Sequence, residues 1–385
     1  MNYIGEFVAE LKSKSADLQL LLGSDPSRAR IESILKEGIN NRWVNLPEPA
    51  RKFSQEFAVD SSSAYRGLSN GIDIFIVRSL AIGSNNVTPR KAVRFEAIKS
   101  PSDSLDSSNF ERMLRDLAEV EAAISMSNEL KRGDIIMLDG SVYGKLAHLK
   151  EELNIVGWQT LPLAIFERLT DLFNLCDEKG VTIVGVSKFS RTRVLCNALL
   201  SERGVNISDP GFLDVECLYK WKGGQTGHTT PLLLGLYALQ QADEFQTNPE
   251  TYINQHFRGI PESRKERAIS ILRSVPDSPS IAMTHIIPAP GEQPLRIDVP
   301  ANCIGSEEKL RDVDPYRFLG NHALDDVISH VLFCFGGTDV YNALLYVADK
   351  DVRLGEETVD TVYKQVLSDE LGIRIEYDRS SRRFH

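Results

Sequence analysis

The sequence predicts an α/β fold in which one mixed sheet combines an antiparallel meander with parallel crossover strands and is flanked by helices. Three strand-like segments, 53–59, 72–82 and 92–98, follow one another through short glycine- and asparagine-rich links, which require antiparallel neighbours. Two later apolar runs, 134–139 and 181–186, alternate with helical patterns, as parallel crossover units do. Further helical and β segments are added to this core.

Helical spacing of apolar residues predicts most of the other elements. The helix between the meander and the strand 134–139 has an apolar stripe formed by Phe110, Met113, Leu114, Leu117, Val120 and Ile124. The remaining predicted elements are helices at 161–175, 188–200, 231–241, 264–273, 321–334 and 356–369, and strands at 215–221, 280–287 and 373–377.

We expect four parts along the chain. They are an N-terminal helical arm at 1–48, the α/β core at 49–200, an insertion or sheet extension at 201–320, and C-terminal helices at 321–385 that complete an active site. The arm carries no residues that suggest chemistry, and we expect it to be an appendage or a dimerisation arm.

The composition is that of a soluble globular protein. The chain has 385 residues, of which 42% are hydrophobic and 25% charged, and no apolar run approaches the ~20 residues of a membrane span. The N-terminus lacks the basic and apolar regions of a signal peptide. Five widely spaced cysteines without a Cys-x-x-Cys pair indicate reduced thiols. We therefore expect a cytoplasmic protein.

The net charge of −10 argues against a protein that coats nucleic acid by bulk electrostatics. It is compatible with a nucleic-acid enzyme that has a local basic groove or receives its substrate from a partner.

Two aspartates follow predicted strands in similar contexts. Asp60 comes after an apolar strand and before three serines, and Asp139 comes after Ile135–Leu138 and before Gly140 and Ser141. Two carboxylates brought together on a rigid sheet would hold a divalent metal ion, as a phosphodiester hydrolase requires. Each aspartate alone is equally well explained as a turn or cap residue.

A third acid is expected from the helix that follows the meander. The candidates are Glu111, Asp116, Glu119 and Glu121. At ~100° per residue, Glu121 falls on the apolar stripe and Glu119 on the opposite, solvent side. Since a buried carboxylate is costly unless it is paired or bound to metal, Glu121 is the preferred ligand and Glu119 the alternative.

Lys188 lies just after the second apolar strand, where it either contacts a phosphate or orients a carboxylate, or is a solvated lysine at the start of a helix. His322 and His330, with Asp325 and Asp326 nearby, resemble a metal pair only weakly, and a solvated helix face is the simpler explanation.

Several of these segments together resemble the NurA nuclease family. They are Val59-Asp60-Ser61-Ser62, the helix that bears Glu121, Leu138-Asp139-Gly140-Ser141, and Val184 to Arg191. The resemblance implies a ribonuclease-H-like fold related to the Piwi domain. It also implies a Mn²⁺- or Mg²⁺-dependent DNA nuclease that forms a homodimer and works with a hexameric HerA-type ATPase translocase. It covers roughly 50–200 and 335–370 and leaves 201–330 outside.

The family also has a C-terminal Tyr-Pro-x-x-Leu motif followed by an Ala-His pair. Tyr341-Asn342-Ala343-Leu344-Leu345 and Ala348-Asp349 fit it at the same spacing. Asn342 replaces the proline, and Asp349 replaces the histidine, so that an oxygen ligand is kept but an imidazole acid or base is lost. A rival placement, Pro315 to Leu319 with His322, keeps a histidine but has the wrong spacing.

The resulting expectation is a metal-dependent deoxyribonuclease. Its metal ligands would be Asp60, Glu121, Asp139 and Asp349, and Lys188 and Tyr341 would position the phosphate or the water. DNA end processing in repair and anti-phage defence are both compatible with it. The alternatives are a non-catalytic adaptor that docks on the ATPase and a ribonuclease-H-like enzyme that acts on RNA or a hybrid.

Overall fold

One mixed sheet organises the chain. The structure is a computed structural model, and it describes residues 3–15, 17, 26–85, 87–101, 103–150, 152–188, 190–205, 211–236, 242–372 and 374–377. Its strands are β1 (Trp43–Val44), β2 (Glu56–Gly67), β3 (Ile72–Gly83), β4 (Arg90–Lys99), β5 (Ile135–Asp139), β6 (Thr182–Ser187), β7 (Gly227–Thr229), β8 (Leu232–Leu234), β9 (Ile281–Ile287), β10 (Leu295–Pro300) and β11 (Tyr316–Phe318).

The strand order is β1-β7-β9-β10-β6-β5-β2-β3-β4, and β8 lies between β9 and β11. β5 runs parallel to β2 and to β6, and the other described pairs are antiparallel. The predicted meander β2-β3-β4 and the parallel crossover strands that follow it are therefore confirmed.

Helices flank this sheet. They are α1 (Ile4–Ser13), α2 (Pro26–Asn41), α3 (Ser104–Ser125), α4 (Val142–Leu146), α5 (Leu161–Lys179), α6 (Val194–Glu202), α7 (Asp214–Lys222), α8 (Ala242–Thr247), α9 (Pro249–His256), α10 (Glu262–Ser274), α11 (Asp325–Phe333), α12 (Ala343–Val352), α13 (Glu356–Thr358) and α14 (Lys364–Leu371). A π-helical turn, Val359–Tyr363, joins the last two. No helix in the described part of the chain is both long and apolar enough to cross a membrane.

Side chains of β5 alternate between two apolar layers. Ile136 and Leu138 pack in the layer that contains α5, and Ile135 and Met137 pack in the layer that contains α11 and α12. A strand covered on both faces explains the continuous apolar run in the sequence.

β2 is longer than the sequence predicted. It continues from Glu56 to Gly67, because its serines pair with β3 as regularly as its apolar residues do. Asp60 therefore lies within the strand, and its predicted place at a strand end is wrong. Asp139 is the last residue of β5, as predicted.

The segment 201–320 extends the sheet through β7 to β11. The predicted strand 280–287 and helix 264–273 are confirmed. The predicted strand 215–221 is wrong: α7 forms there because Cys217 and Leu218 are buried at helical spacing from Asp214. The predicted helix 231–241 is wrong where it is described, since Leu232–Leu234 form a buried strand; 237–241 lie outside the described residues.

Two other boundaries differ from the prediction. The helix expected from 188 begins at Val194, which leaves Lys188 in the preceding loop, and α12 was not predicted as a helix. The expected strand 373–377 is reduced to a single bridge between Leu68 and Tyr377 in the residues that are described there.

A glycine pair shapes the turn after β5. Gly140 has a φ of 101°, a backbone conformation that a residue with a Cβ rarely adopts. A Cβ on Gly185 of β6 would lie 2.6 Å from the Gly140 carbonyl oxygen. The turn can therefore pack directly on β6. This packing fixes the direction that the chain takes after Asp139, the last residue of β5.

A buried ion pair on β10 secures the same turn. Asp298 accepts hydrogen bonds from Arg296 Nε at 2.7 Å, from the Tyr143 backbone N–H at 3.1 Å and from the Ser141 hydroxyl. Both members of the pair are at most 1% exposed. The sheet extension thus holds the start of α4 in place.

We expect Asp298→Ala to lower the free energy of unfolding by about 3–5 kcal/mol, because Arg296 is left buried without a counter-charge. Urea unfolding measures this. The double variant Arg296→Met/Asp298→Leu, which removes both charges, should lose less than the single variant. A loss under about 1 kcal/mol in Asp298→Ala, the range of exposed pairs, would contradict this account.

Candidate metal centre

Three aspartates from three elements meet where β5 ends. Val59 pairs with Leu138 in parallel register, so the next residues, Asp60 and Asp139, are neighbours on the face that α12 covers. Asp349 lies on α12. One carboxylate oxygen from each of the three aspartates lies within 4.8 Å of the other two.

The Asp60 carboxylate is buried without a counter-charge. It is 1% exposed and accepts a hydrogen bond from the Ser61 N–H at 2.7 Å. No lysine, arginine or histidine of the described residues forms an ion pair with it within 4.0 Å. Burial, and then the charges of Asp139 and Glu119, raise the pKa of Asp60 to about 8. Burial also raises the pKa of Asp139.

These three residues fit a divalent metal ion. Mg²⁺ takes oxygen ligands at ~2.0–2.1 Å in octahedral geometry, which places two ligand oxygens ~3–4 Å apart. Small side-chain adjustments bring the three oxygens to that spacing. An all-carboxylate donor set favours Mg²⁺ or Mn²⁺ over softer metals. Asp60, Asp139 and Asp349 would therefore hold the ion.

Tyr341 and Lys188, the residues expected to position the phosphate or the water, both lie next to Asp139. The Tyr341 hydroxyl donates to Asp139 Oδ1 at 3.2 Å. Lys188 Nζ lies 4.0 Å from Asp139 Oδ2 and 3.8 Å from the centre of the Tyr341 ring. Its side chain remains 30% exposed, so the ammonium can reach a ligand at the surface.

Asn342, where the family motif has proline, caps α12. Its side-chain oxygen accepts from the Leu345 N–H at 3.0 Å, and its amide donates to Met137 Sδ. The substitution preserves the start of the helix that carries Asp349.

Glu121 is not part of this cluster, and its predicted place on the buried face is wrong. Its carboxylate pairs with Arg94 of β4 at 2.9 Å and is 39% exposed. Glu119, expected on the solvent side, is 3% exposed. Its Oε1 accepts from the Ser61 hydroxyl at 2.7 Å, next to Asp60.

The error has a specific cause in α3. The first half of the helix buries Phe110, Leu114 and Leu117, but the second half buries Ala122 and Ala123 in another apolar cluster. At ~100° per residue these two sets lie on opposite faces. The prediction extended the apolar stripe of the first half past Leu117. It therefore placed Glu121 on the buried face and Glu119 on the exposed face, the reverse of what the structure shows. The small residues Ala122 and Ala123 were the signal in the sequence.

Sequence reasoning missed a charged cluster next to Glu119. Lys145 on α4 lies 2.7 Å from Glu119 Oε2 and 2.5 Å from Asp116 Oδ1, and it is only 3% exposed. His148 Nε2 lies 2.6 Å from Asp116 Oδ2. The i, i+3 spacing of Asp116 and Glu119 was the available signal, because it places both acids on one helix face.

The histidine alternatives do not join the centre. His322 is 77% exposed and lies 2.8 Å from Asp325. His330 lies near Glu56 and Cys334, but its Nδ1 accepts from the Lys52 N–H at 3.2 Å. The neutral ring therefore carries its proton on Nε2, the atom that faces Glu56 and Cys334, and offers no lone pair to a metal there.

A family model described as the NurA domain matches residues 55–317. The chain belongs to this family. The match includes Asp60, Asp139 and Lys188, whereas Asp349 lies beyond it. It also includes 201–317, so the expectation that this region takes no part in the resemblance is wrong. No curated protein sequence matches the chain.

Solved NurA structures share the fold. The NurA nuclease from Sulfolobus solfataricus has a TM-score of 0.60 at 14% identity, with 97% of this chain and 98% of that chain covered. NurA bound to dAMP and manganese has a TM-score of 0.53 at 13% identity, with 93% and 96% covered. Another NurA structure has a TM-score of 0.51 at 13% identity, with 90% and 97% covered.

The raised pKa of Asp60 predicts how the stability of the metal-free protein depends on pH. Between the unfolded pKa near ~3.9 and the folded pKa of about 8, the folded state keeps a proton that the unfolded state has lost. The Asp60 contribution to stability therefore falls as pH rises through this range.

We expect the free energy of unfolding of the wild type, relative to Asp60→Asn, to fall by about 3 kcal/mol between pH 5 and pH 7.5 in EDTA. Urea unfolding of both proteins measures this difference and cancels the other titrating groups. A difference that is constant or rises with pH would contradict the assignment.

Proposed function

We propose that this protein is a metal-dependent nuclease that hydrolyses phosphodiester bonds in DNA. The observation that carries the proposal is the meeting of Asp60, Asp139 and Asp349, with Asp60 buried and lacking a counter-charge. A buried cluster of carboxylates must either keep a proton or bind a cation, and a divalent ion compensates the cluster in its ionised form. Membership of the NurA family adds support.

Mn²⁺ is the proposed ion, with Mg²⁺ as the alternative. The NurA structure solved with dAMP and manganese supports both the metal and a deoxynucleotide substrate. A bound divalent ion would polarise the phosphate and lower the pKa of an attacking water.

The side chains around the ion have separate tasks. Asp60, Asp139 and Asp349 bind it, and the Tyr341 hydroxyl fixes the orientation of the Asp139 carboxylate. The partly exposed Lys188 ammonium contacts a phosphate oxygen of the substrate and stays close to Asp139. Glu119, in place of Glu121, adds negative charge beside Asp60.

The family resemblance extends the proposal to partners. We propose a homodimer that receives DNA from a hexameric HerA-type translocase, in end processing during repair or in anti-phage defence. The net charge of −10 supports delivery by a partner, because the chain has little bulk attraction for DNA of its own.

A nuclease assay on linear DNA with Mn²⁺ tests the activity. We expect Asp139→Asn to lower the rate by at least ~100-fold, because it removes a metal ligand that Tyr341 and Lys188 also contact. Glu121→Gln, which affects only the pair with Arg94, should keep the wild-type rate and is the matched control.

Equal rates for the wild type and Asp139→Asn would refute the catalytic assignment and favour a non-catalytic adaptor that docks on the ATPase. RNA and RNA–DNA hybrid substrates belong in the same assay. Faster cleavage of either than of DNA would replace the DNA nuclease with a ribonuclease-H-like activity.

A further inference from the structure

A lysine ammonium lies beside the candidate metal centre and pairs with two more carboxylates. Lys145 Nζ is 2.5 Å from Asp116 Oδ1 and 2.7 Å from Glu119 Oε2, and the side chain is 3% exposed. Lys145 belongs to α4, whose start is held by Asp298. The ammonium is therefore a fixed part of the protein interior and not a mobile surface charge.

Every carboxylate oxygen of this pair has a partner. The second oxygen of Glu119 accepts from the Ser61 hydroxyl at 2.7 Å, and the second oxygen of Asp116 lies 2.6 Å from His148 Nε2. In contrast, neither Asp60 nor Asp349 has a cationic partner within 4.0 Å among the described residues. Basic side chains thus occupy the Asp116–Glu119 side of the acidic region, whereas Asp60 and Asp349 have no cationic partner among the described residues.

Ser61 joins the two halves. Its backbone N–H donates to Asp60 Oδ1 at 2.7 Å, and its hydroxyl donates to Glu119. Ser61 thus keeps Glu119 close enough to Asp60 for the charge of Glu119 to raise the pKa of Asp60. Glu119 is therefore the candidate carboxylate for the second ion of a two-metal nuclease site. In this protein the ammonium of Lys145 already holds that carboxylate.

Basic side chains offset much of the acidic charge of the region. Five carboxylates are present: the three of the centre, Asp116 and Glu119. Lys145, Lys188 and Arg115 oppose them, and His148 lies 2.6 Å from Asp116. Arg115 donates to the Ser61 carbonyl at 2.9 Å and lies close enough to Asp139 to favour its ionised form. The carboxylates without a cationic partner among the described residues are Asp60 and Asp349, and one divalent ion bound between them would compensate both.

We propose that Lys145 takes the place of a second divalent cation, so that this protein binds one metal ion per chain at its nuclease centre. Lys145 is a positioning residue: it holds Glu119 on an ammonium and away from the ion. The inference rests on the proposed function, because it concerns the same centre.

Counting bound Mn²⁺ tests this inference without an activity assay. The full-length protein is titrated with Mn²⁺, and free Mn²⁺ is followed by its electron paramagnetic resonance signal. We expect one ion per chain in the wild type. Lys145→Met should bind two, because it leaves the buried carboxylates of Asp116 and Glu119 without their cation. Lys145→Met/Glu119→Gln should return to one.

Two further variants complete the design. Arg94→Met releases Glu121 on the same helix from a partly exposed ion pair, so it should stay at one ion and is the matched control. Glu119→Gln in the wild-type background should also stay at one, since Lys145 keeps Glu119 from the metal. This variant gives a result even when Lys145→Met does not fold.

The outcomes separate the two proposals. Two ions in the wild type, one of them lost in Glu119→Gln, would overturn the role of Lys145 and leave the nuclease function intact. A folded Lys145→Met protein that binds one ion would overturn it as well. A wild type that binds no ion would instead refute the metal-dependent function itself.

Discussion

The parallel pairing of β2 with β5 is the constraint on which the site depends. It sets Asp60 beside Asp139 where β5 ends and β2 continues, and α12 packs over both. Burial of Asp60, and then the like charge of Asp139 beside it, raise the pKa of Asp60. A divalent ion compensates both carboxylates, so metal binding and the stability of the sheet centre are linked.

The core of the fold was predictable because its signals are local. Continuous apolar runs identified β5 and β6, and short polar links identified the meander. The two aspartates were predictable as well, since each follows an apolar run and lies next to small residues. That they meet follows from register, which the sequence indicated only through the order of its elements.

The errors come from tertiary packing that no local pattern records. Burial between β9 and β11 makes a strand of Leu232–Leu234, although leucines favour helices. In α3 the second half of the helix buries a different face from the first half. Glu119 is therefore buried and Glu121 partly exposed, the reverse of the prediction. Lys145 was missed because a lysine is almost never fully buried unless it is paired, and its partners lie on another helix.

The most direct test of the central claim is a crystal structure of the protein with Mn²⁺, measured at the manganese absorption edge. The account predicts an anomalous peak between the carboxylates of Asp60, Asp139 and Asp349, within ~2–2.5 Å of an oxygen from each. A well-ordered crystal without a peak there, or with its principal peak beside Glu121 or between Glu56, His330 and Cys334, would contradict it.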